Sequence, residues 1–158
     1  MAVSLRPLGR IDGNTNYATM NLPITSGVTV TEGDAVYFDG SGRITNSSVA
    51  GQRLVGVAAE TATGNAGGSV KALVICDPNM RYLIDNDNVG TTFAVTHVGD
   101  YFDLIGATGA QLVDTSTTSN TTGQLLCLEY NPQIDPVKSD TSYGVFLIAE
   151  HVFGKYTA

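Results

Sequence analysis

The stretch GDAVYFDGSGRITNSS, residues 33–48, decides the fold, because a looser copy returns as GDYFDLIGATGAQLVDTSTT at residues 99–118. Each copy opens with Gly-Asp and runs through aromatic and apolar residues to an aspartate and a Gly-rich turn. An apolar segment follows, with a Ser/Thr/Asn exit. This is β-hairpin grammar: strand, glycine turn, short strand, polar end. Two related hairpins in one small chain predict a packed all-β scaffold of small barrel or sandwich lobes.

Outward from the repeat, short apolar runs recur between turn residues. VTVT (28–31), AVYF (35–38), RIT (43–45), LVGVAAE (54–60) and SVKALVI (69–75) read as strands of a first lobe, residues 27–78. Asp77-Pro78 ends it, because proline lacks the ladder N–H and restricts the residue before it. In a second lobe, residues 79–158, MRYLID (80–85) and TTFAVT (91–96) read as strands around a DNDNVG turn. YFDLI (101–105) and AQLV (110–113) flank the turn GATG, DTSTTSNTTG (114–123) is a polar loop, and QLLCLEY (124–130) and YGVFLIAEHVF (143–153) are strands. The two lobes are expected to pack together. A short helical turn is expected only near 47–53. Residues 1–26 carry Pro7, Gly9, Gly13 and Pro23 and no sustained apolar period, so they read as an extended arm ordered by what it touches.

Composition limits function. The chain has 158 residues and a net charge of −7, with 15% charged and 42% hydrophobic residues. An acidic surface without a Lys/Arg stripe repels phosphate backbones, so no nucleic-acid partner is expected. Arg6 and Arg10 are the charged residues of the first ten, whereas all the acids lie beyond them. That asymmetry suggests an arm that docks on something acidic. No run reaches the roughly 20 apolar residues needed to span a bilayer as a helix, and no export signal is read at the start, so a soluble protein made in a cytoplasm is expected. Cys76 and Cys127 lie inside apolar runs and read as buried thiols.

Sites of chemistry are weakly signalled. Asp85, Asp87 and Gly90 match part of a calcium loop, but Val89 cannot ligate by its side chain and Thr96 stands where a bidentate Glu is wanted. His97 and His151 have no local partner of a hydrolase type; Glu150 adjoins His151 in a strand and faces the other way. TGNAGGS (63–69) lacks the Lys-Ser/Thr of a phosphate loop. No catalytic, cofactor or metal residues are assigned.

The ordered array of GVTVTEGDAVYFDGSGRITNS, LVGVAAE and GSVKALVI is similar to phage capsid decoration (cement) proteins. The second lobe resembles longer decoration proteins of tailed phages through Asp77-Pro78, MRYLIDND, VGDYFDLI and GVFLIAEHVF. The resemblance spans roughly residues 27–153 and implies a β-tulip-like structural protein without enzymatic activity or cofactor. It also implies a place on the exterior of a virion, the major capsid protein as partner, and trimers. On this reading Leu5, Leu8, Ile11 and Tyr17 are apolar anchors of the arm on the shell, and Arg6 and Arg10 its charge partners; the alternative is an arm that packs on the protein's own body. A carbohydrate- or host-surface-binding module of a phage particle is the alternative; the absence of Trp weighs against it. A shell-forming coat subunit is disfavoured by small size, and an enzyme by the lack of a reactive constellation.

Overall fold

The computed structural model describes residues 4–46, 51–87, 93–130 and 143–155. They form an all-β structure. The first lobe and the arm contribute β1 (Leu5–Arg10), β2 (Thr19–Pro23), β3 (Thr29–Val30), β4 (Ala35–Phe38), β5 (Ile44–Asn46), β6 (Gly56–Ala58), β7 (Ala62–Thr63) and β8 (Lys71–Ile75). The second contributes β9 (Met80–Asp85), β10 (Tyr101–Ile105), β11 (Leu112–Ser119), β12 (Leu125–Tyr130), β13 (Tyr143–Ile148), β14 (Glu150–His151) and β15 (Gly154–Lys155). A five-stranded sheet has the order β2-β8-β6-β4-β5, a six-stranded sheet the order β1-β9-β13-β12-β10-β11, and β3–β7 and β14–β15 form two small ribbons. None closes into a barrel, and the architecture is sandwich-like.

Alternation explains the apolar runs. In LVGVA the neighbours Leu54 and Val55, and again Val57 and Ala58, divide between two buried clusters, the phase slipping by one residue at Gly56. Ala35/Val36 and Val74/Ile75 divide in the same way. Neighbouring strand residues point to opposite faces, so a strand covered on both faces is apolar without a break. The second cluster lies inside the curl of the five-stranded sheet, whose outer strands meet at one parallel bridge, Ile24 to Ile44. The first joins both lobes: Ala35, Leu54, Val57 and Ile75 pack with Tyr82, Phe102, Leu125 and Phe146. Phe93, Phe102 and Phe146 sit at its centre with ring centroids 5.4–5.9 Å apart in tilted and edge-to-face pairs, each worth about 0.5–1.5 kcal/mol beyond burial.

The sequence repeat is a topological repeat. In chain order β2, β4, β5, β6 and β8 stand in one sheet as β9, β10, β11, β12 and β13 stand in the other: first strand beside last, then the third of the hairpin set, then the hairpin. The Gly-Asp corners match bond for bond. Gly33 donates its N–H to Ala58 O at 2.8 Å, and Ala58 N–H returns to Asp34 O at 2.8 Å. Gly99 donates to Cys127 O at 2.9 Å, and Cys127 N–H returns to Asp100 O at 2.9 Å. Both glycines sit at positive φ, +89° and +92°, where a side chain would be strained. Both Asp N–H groups close a turn, to Thr31 O and His97 O.

The arm is extended, and what it touches is the body itself, since β1 pairs with β9 and β2 with β8. Edge strands are set by backbone pairing, and they tolerate proline and glycine, so side-chain period does not reveal them. Other expectations are corrected. TTFAVT is not a strand over its described part: Val95–His97 forms a 3-10 turn, with His97 Nδ1 accepting Ala94 N–H at 3.1 Å. β9 therefore finds its partners in β1 and β13 rather than in a local hairpin. The first half of DTSTTSNTTG belongs to β11. The final strand breaks at Ala149, where Gln124 O accepts both Ala149 N–H and Glu150 N–H. The helical turn expected near 47–53 falls largely outside the described residues.

Candidate interaction surface

Residues 11–20 cross from the six-stranded to the five-stranded sheet, and all of them are exposed. Asp77 holds this crossing to the body. It is 4% exposed and accepts from Arg10 Nη1 at 3.0 Å, Ala18 N at 3.4 Å and Asn79 N at 2.9 Å. Ile11 N–H donates to Asn79 O at 2.9 Å. Arg10 also grips Asp12 through Nε and Nη2 at 3.1 and 2.9 Å. The Asn14 N–H and then the Arg10 guanidinium hold the Asp12 carboxyl below its ordinary value. With the backbone thus tied down, the crossing is a shaped surface rather than a loose loop.

That surface carries apolar side chains. Ile11 is 44% exposed, Tyr17 45% and Met20 40%. Pro7, Leu8, Arg10, Asn14, Tyr17 and Arg81 line a groove of about 380 Å³ beside them. Elsewhere, Phe153 on the β14–β15 turn is 49% exposed.

Of the residues singled out from the sequence, Arg6, Ile11 and Tyr17 are exposed, and Leu8 and Arg10 are partly so. Leu5 is corrected: it is fully buried in the shared core and cannot touch a partner. Its N–H donates to Gly33 O at 2.9 Å, so the arm's first anchor grips the chain's own Gly-Asp corner. Met20, Phe153 and the groove were not found from the sequence. Met20 sits in a strand with no visible period, and the groove forms between segments far apart in the chain.

Asp77 lies within electrostatic reach of His151 and Cys76, but among the described residues no nucleophile is hydrogen-bonded to a histidine. His151 is fully buried, with Nδ1 accepting Phe153 N–H at 3.1 Å; burial lowers its pKa to about 4. Cys127 is buried in β12 and its thiol is pushed up to about 12 by desolvation, while burial also raises Cys76. Both cysteines are free. Asp87 accepts from Thr115 Oγ1 at 2.9 Å, and Asp85 accepts Asn86 N–H. The rest of the calcium-like loop, 88–90, lies outside the described residues. Among the described residues no group of three or more His, Cys, Asp or Glu side chains is placed to hold a metal ion, and no helix is long and apolar enough to cross a membrane.

A polar clasp joins the two repeats. Asp34 is fully buried and accepts Thr31 N–H at 2.9 Å, Gly109 N–H at 2.7 Å and the Thr108 hydroxyl. Gln111 Oε1 accepts Ala35 N–H at 2.7 Å, and Ser4 Oγ accepts Gln111 N–H at 2.9 Å. The GATG turn of one repeat is thereby seated on the Gly-Asp corner of the other.

No curated protein and no solved structure matches the chain. Residues 14–74 match the family model described as phage cement protein. The match begins just before β2 and ends within β8, so it covers the five strands of the first repeat unit and β3 and β7. In this unit the chain carries the phage cement protein pattern, as its sequence resemblance led one to expect.

Proposed function

We propose that this protein decorates the exterior of a phage capsid and stabilises it by bridging neighbouring major capsid subunits. The observation that carries this reading is the cement-family match over residues 14–74. The surface of Arg6, Ile11, Tyr17 and Met20 beside the groove is our candidate for the contact. A ligand that binds the assembled shell and not the free subunit stabilises the shell by mass action. Exposed apolar side chains on a backbone already fixed by Asp77 and Asn79 bind with little ordering cost. A contact of standard size, about 800 Å² per partner, gains further if one chain, or a trimer of chains, touches several subunits, because the second contact is intramolecular. The role is structural and not enzymatic.

The test is co-sedimentation of the pure protein with expanded shells and, separately, with unassembled coat protein. Binding to shells alone is expected. Tyr17→Ala together with Ile11→Asp should leave the thermal melt intact and weaken shell binding by about tenfold or more, as exposed anchors do. Equal binding to free subunits, or no binding to shells, refutes the bridging role. Deleting residues 2–20 is a poor alternative, because it would remove Leu5 and β1 from the core and sheet.

A further inference from the structure

The two repeat units differ at one corresponding edge. In the second unit the first strand, β9, has β13 on one side and β1 on the other. In the first unit the corresponding strand, β2, has β8 on one side and is the edge of its sheet. The register shows which groups that edge presents. Cys76 N–H donates to Ala18 O at 3.0 Å and Ile24 N–H to Val70 O at 3.1 Å, in phase with the pairing Thr19↔Ile75 through Pro23↔Lys71. Even-numbered residues of β2 therefore bond inward to β8, because an antiparallel ladder alternates bonded and non-bonded pairs. Odd-numbered residues turn their N–H and C=O outward. Thr25 confirms the parity: its outward N–H reaches Ile44 O at 2.9 Å. Next comes Pro23, which has no N–H to offer. Beyond it Thr19 and Asn21 stand exposed with outward backbone groups.

We infer that this short edge is an acceptor for one extended, uncharged segment of the coat protein, which adds to β2 as β1 adds to β9. This rests on the decoration reading above. An unpaired strand edge is a template for another chain, and the chain itself shows an extended antiparallel strand filling the corresponding place in its second unit. The chain's own β1 is not free to move there: it holds five register pairs with β9, and Leu5 is wholly buried. β2 carries no charge, with Thr19, Met20 and Asn21 exposed and Tyr17 close by in sequence. An uncharged segment therefore loses no ion hydration on docking.

The variants Asn21→Pro and Thr19→Pro remove an outward donor without touching the bonds to β8. Proline is tolerated on an edge strand when its nitrogen faces solvent. Each should keep the wild-type melt and lose about tenfold in affinity for expanded shells, the loss of one or two backbone bonds plus the ring's obstruction. Asn21→Ala should bind as the wild type does, because the recognition is through the backbone. Amide exchange of the unaltered protein supplies a readout that no folding defect can blur: peptides covering 19–21 should exchange fast when free and slowly on shells. Wild-type affinity in a stably folded Asn21→Pro variant, or unprotected amides at 19–21 on the shell, overturns the inference and leaves decoration standing. If the unaltered protein does not bind shells, the decoration reading itself fails. Self-association that Asn21→Pro abolishes, with unchanged shell binding, would assign the edge to a second copy of this chain and overturn the assignment to coat.

Discussion

Replacing Asp34 by asparagine tests the clasp between the two repeats. The Asp34 carboxylate is fully buried. Its Oδ2 accepts from Thr31 N–H and the Thr108 hydroxyl, and its Oδ1 accepts from Gly109 N–H. A carboxamide has one oxygen. With that oxygen at the Oδ2 position, the NH₂ group faces Gly109 N–H; flipped, it faces Thr31 N–H and the Thr108 hydroxyl. Either orientation sets donor against donor at a buried site. A bond to a charged acceptor is worth about 1.5–3 kcal/mol, and stranding a buried donor costs about 1–3 kcal/mol. The expected loss is about 3–4 kcal/mol, a large part of a typical 5–15 kcal/mol. At about 2–4 °C per kcal/mol for a domain of this size, the melting temperature should fall by roughly 6–16 °C. Urea unfolding followed by tyrosine fluorescence measures it, with an unchanged slope showing that the same surface unfolds. A double-mutant cycle with Thr108→Val should return a coupling of about 0.5–3 kcal/mol. A loss below about 1 kcal/mol for Asp34→Asn would refute the claim that this carboxylate holds the repeats together.

Other outcomes follow from the same geometry. His151 is neutral when buried, with its pKa lowered to about 4 from 6.5. The unfolded chain takes up that proton first, so stability should be full above pH 6.5 and decline as pH falls towards 4. His151→Gln should flatten that part of a pH–stability curve, whereas the decline that Asp39 contributes, with its carboxyl held at about 2 by the Thr25 and Ser41 hydroxyls, lies below it. Cys76 and Cys127 should resist a thiol reagent in the native protein and both react in denaturant, because buried neutral thiols are poor nucleophiles. Gly56→Ala should abolish folding or cost more than about 4 kcal/mol, since its Cβ would lie 2.0 Å from Ile75 O; a native-like melt would contradict the close approach of β6 to β8.

Much of the scaffold was legible in the residues. Gly33-Asp34 and Gly99-Asp100 announced the same corner twice, and the glycines at 40, 42, 106 and 109 announced the hairpin turns, because positive φ is a local demand that glycine meets. The apolar runs at 54–58 and 71–75 announced strands buried on both faces. Of the arm residues singled out as candidates for contact, Arg6, Ile11 and Tyr17 are exposed. Leu5 looked the same as its neighbours in sequence, and only its seat beneath Gly33 O separates this core residue from the exposed ones.

Taken alone, the sequence determined the strand material, the turn positions, the duplication and the resemblance to cement proteins, all of which rest on local conformation and on order along the chain. The tertiary structure decided which strands became neighbours, that β1 fills one edge while the corresponding edge of β2 stays open, and that Asp34 is buried against the other repeat. Pairing of distant strands is a matter of backbone bonds and shared burial, and neither leaves a mark in the residues next door.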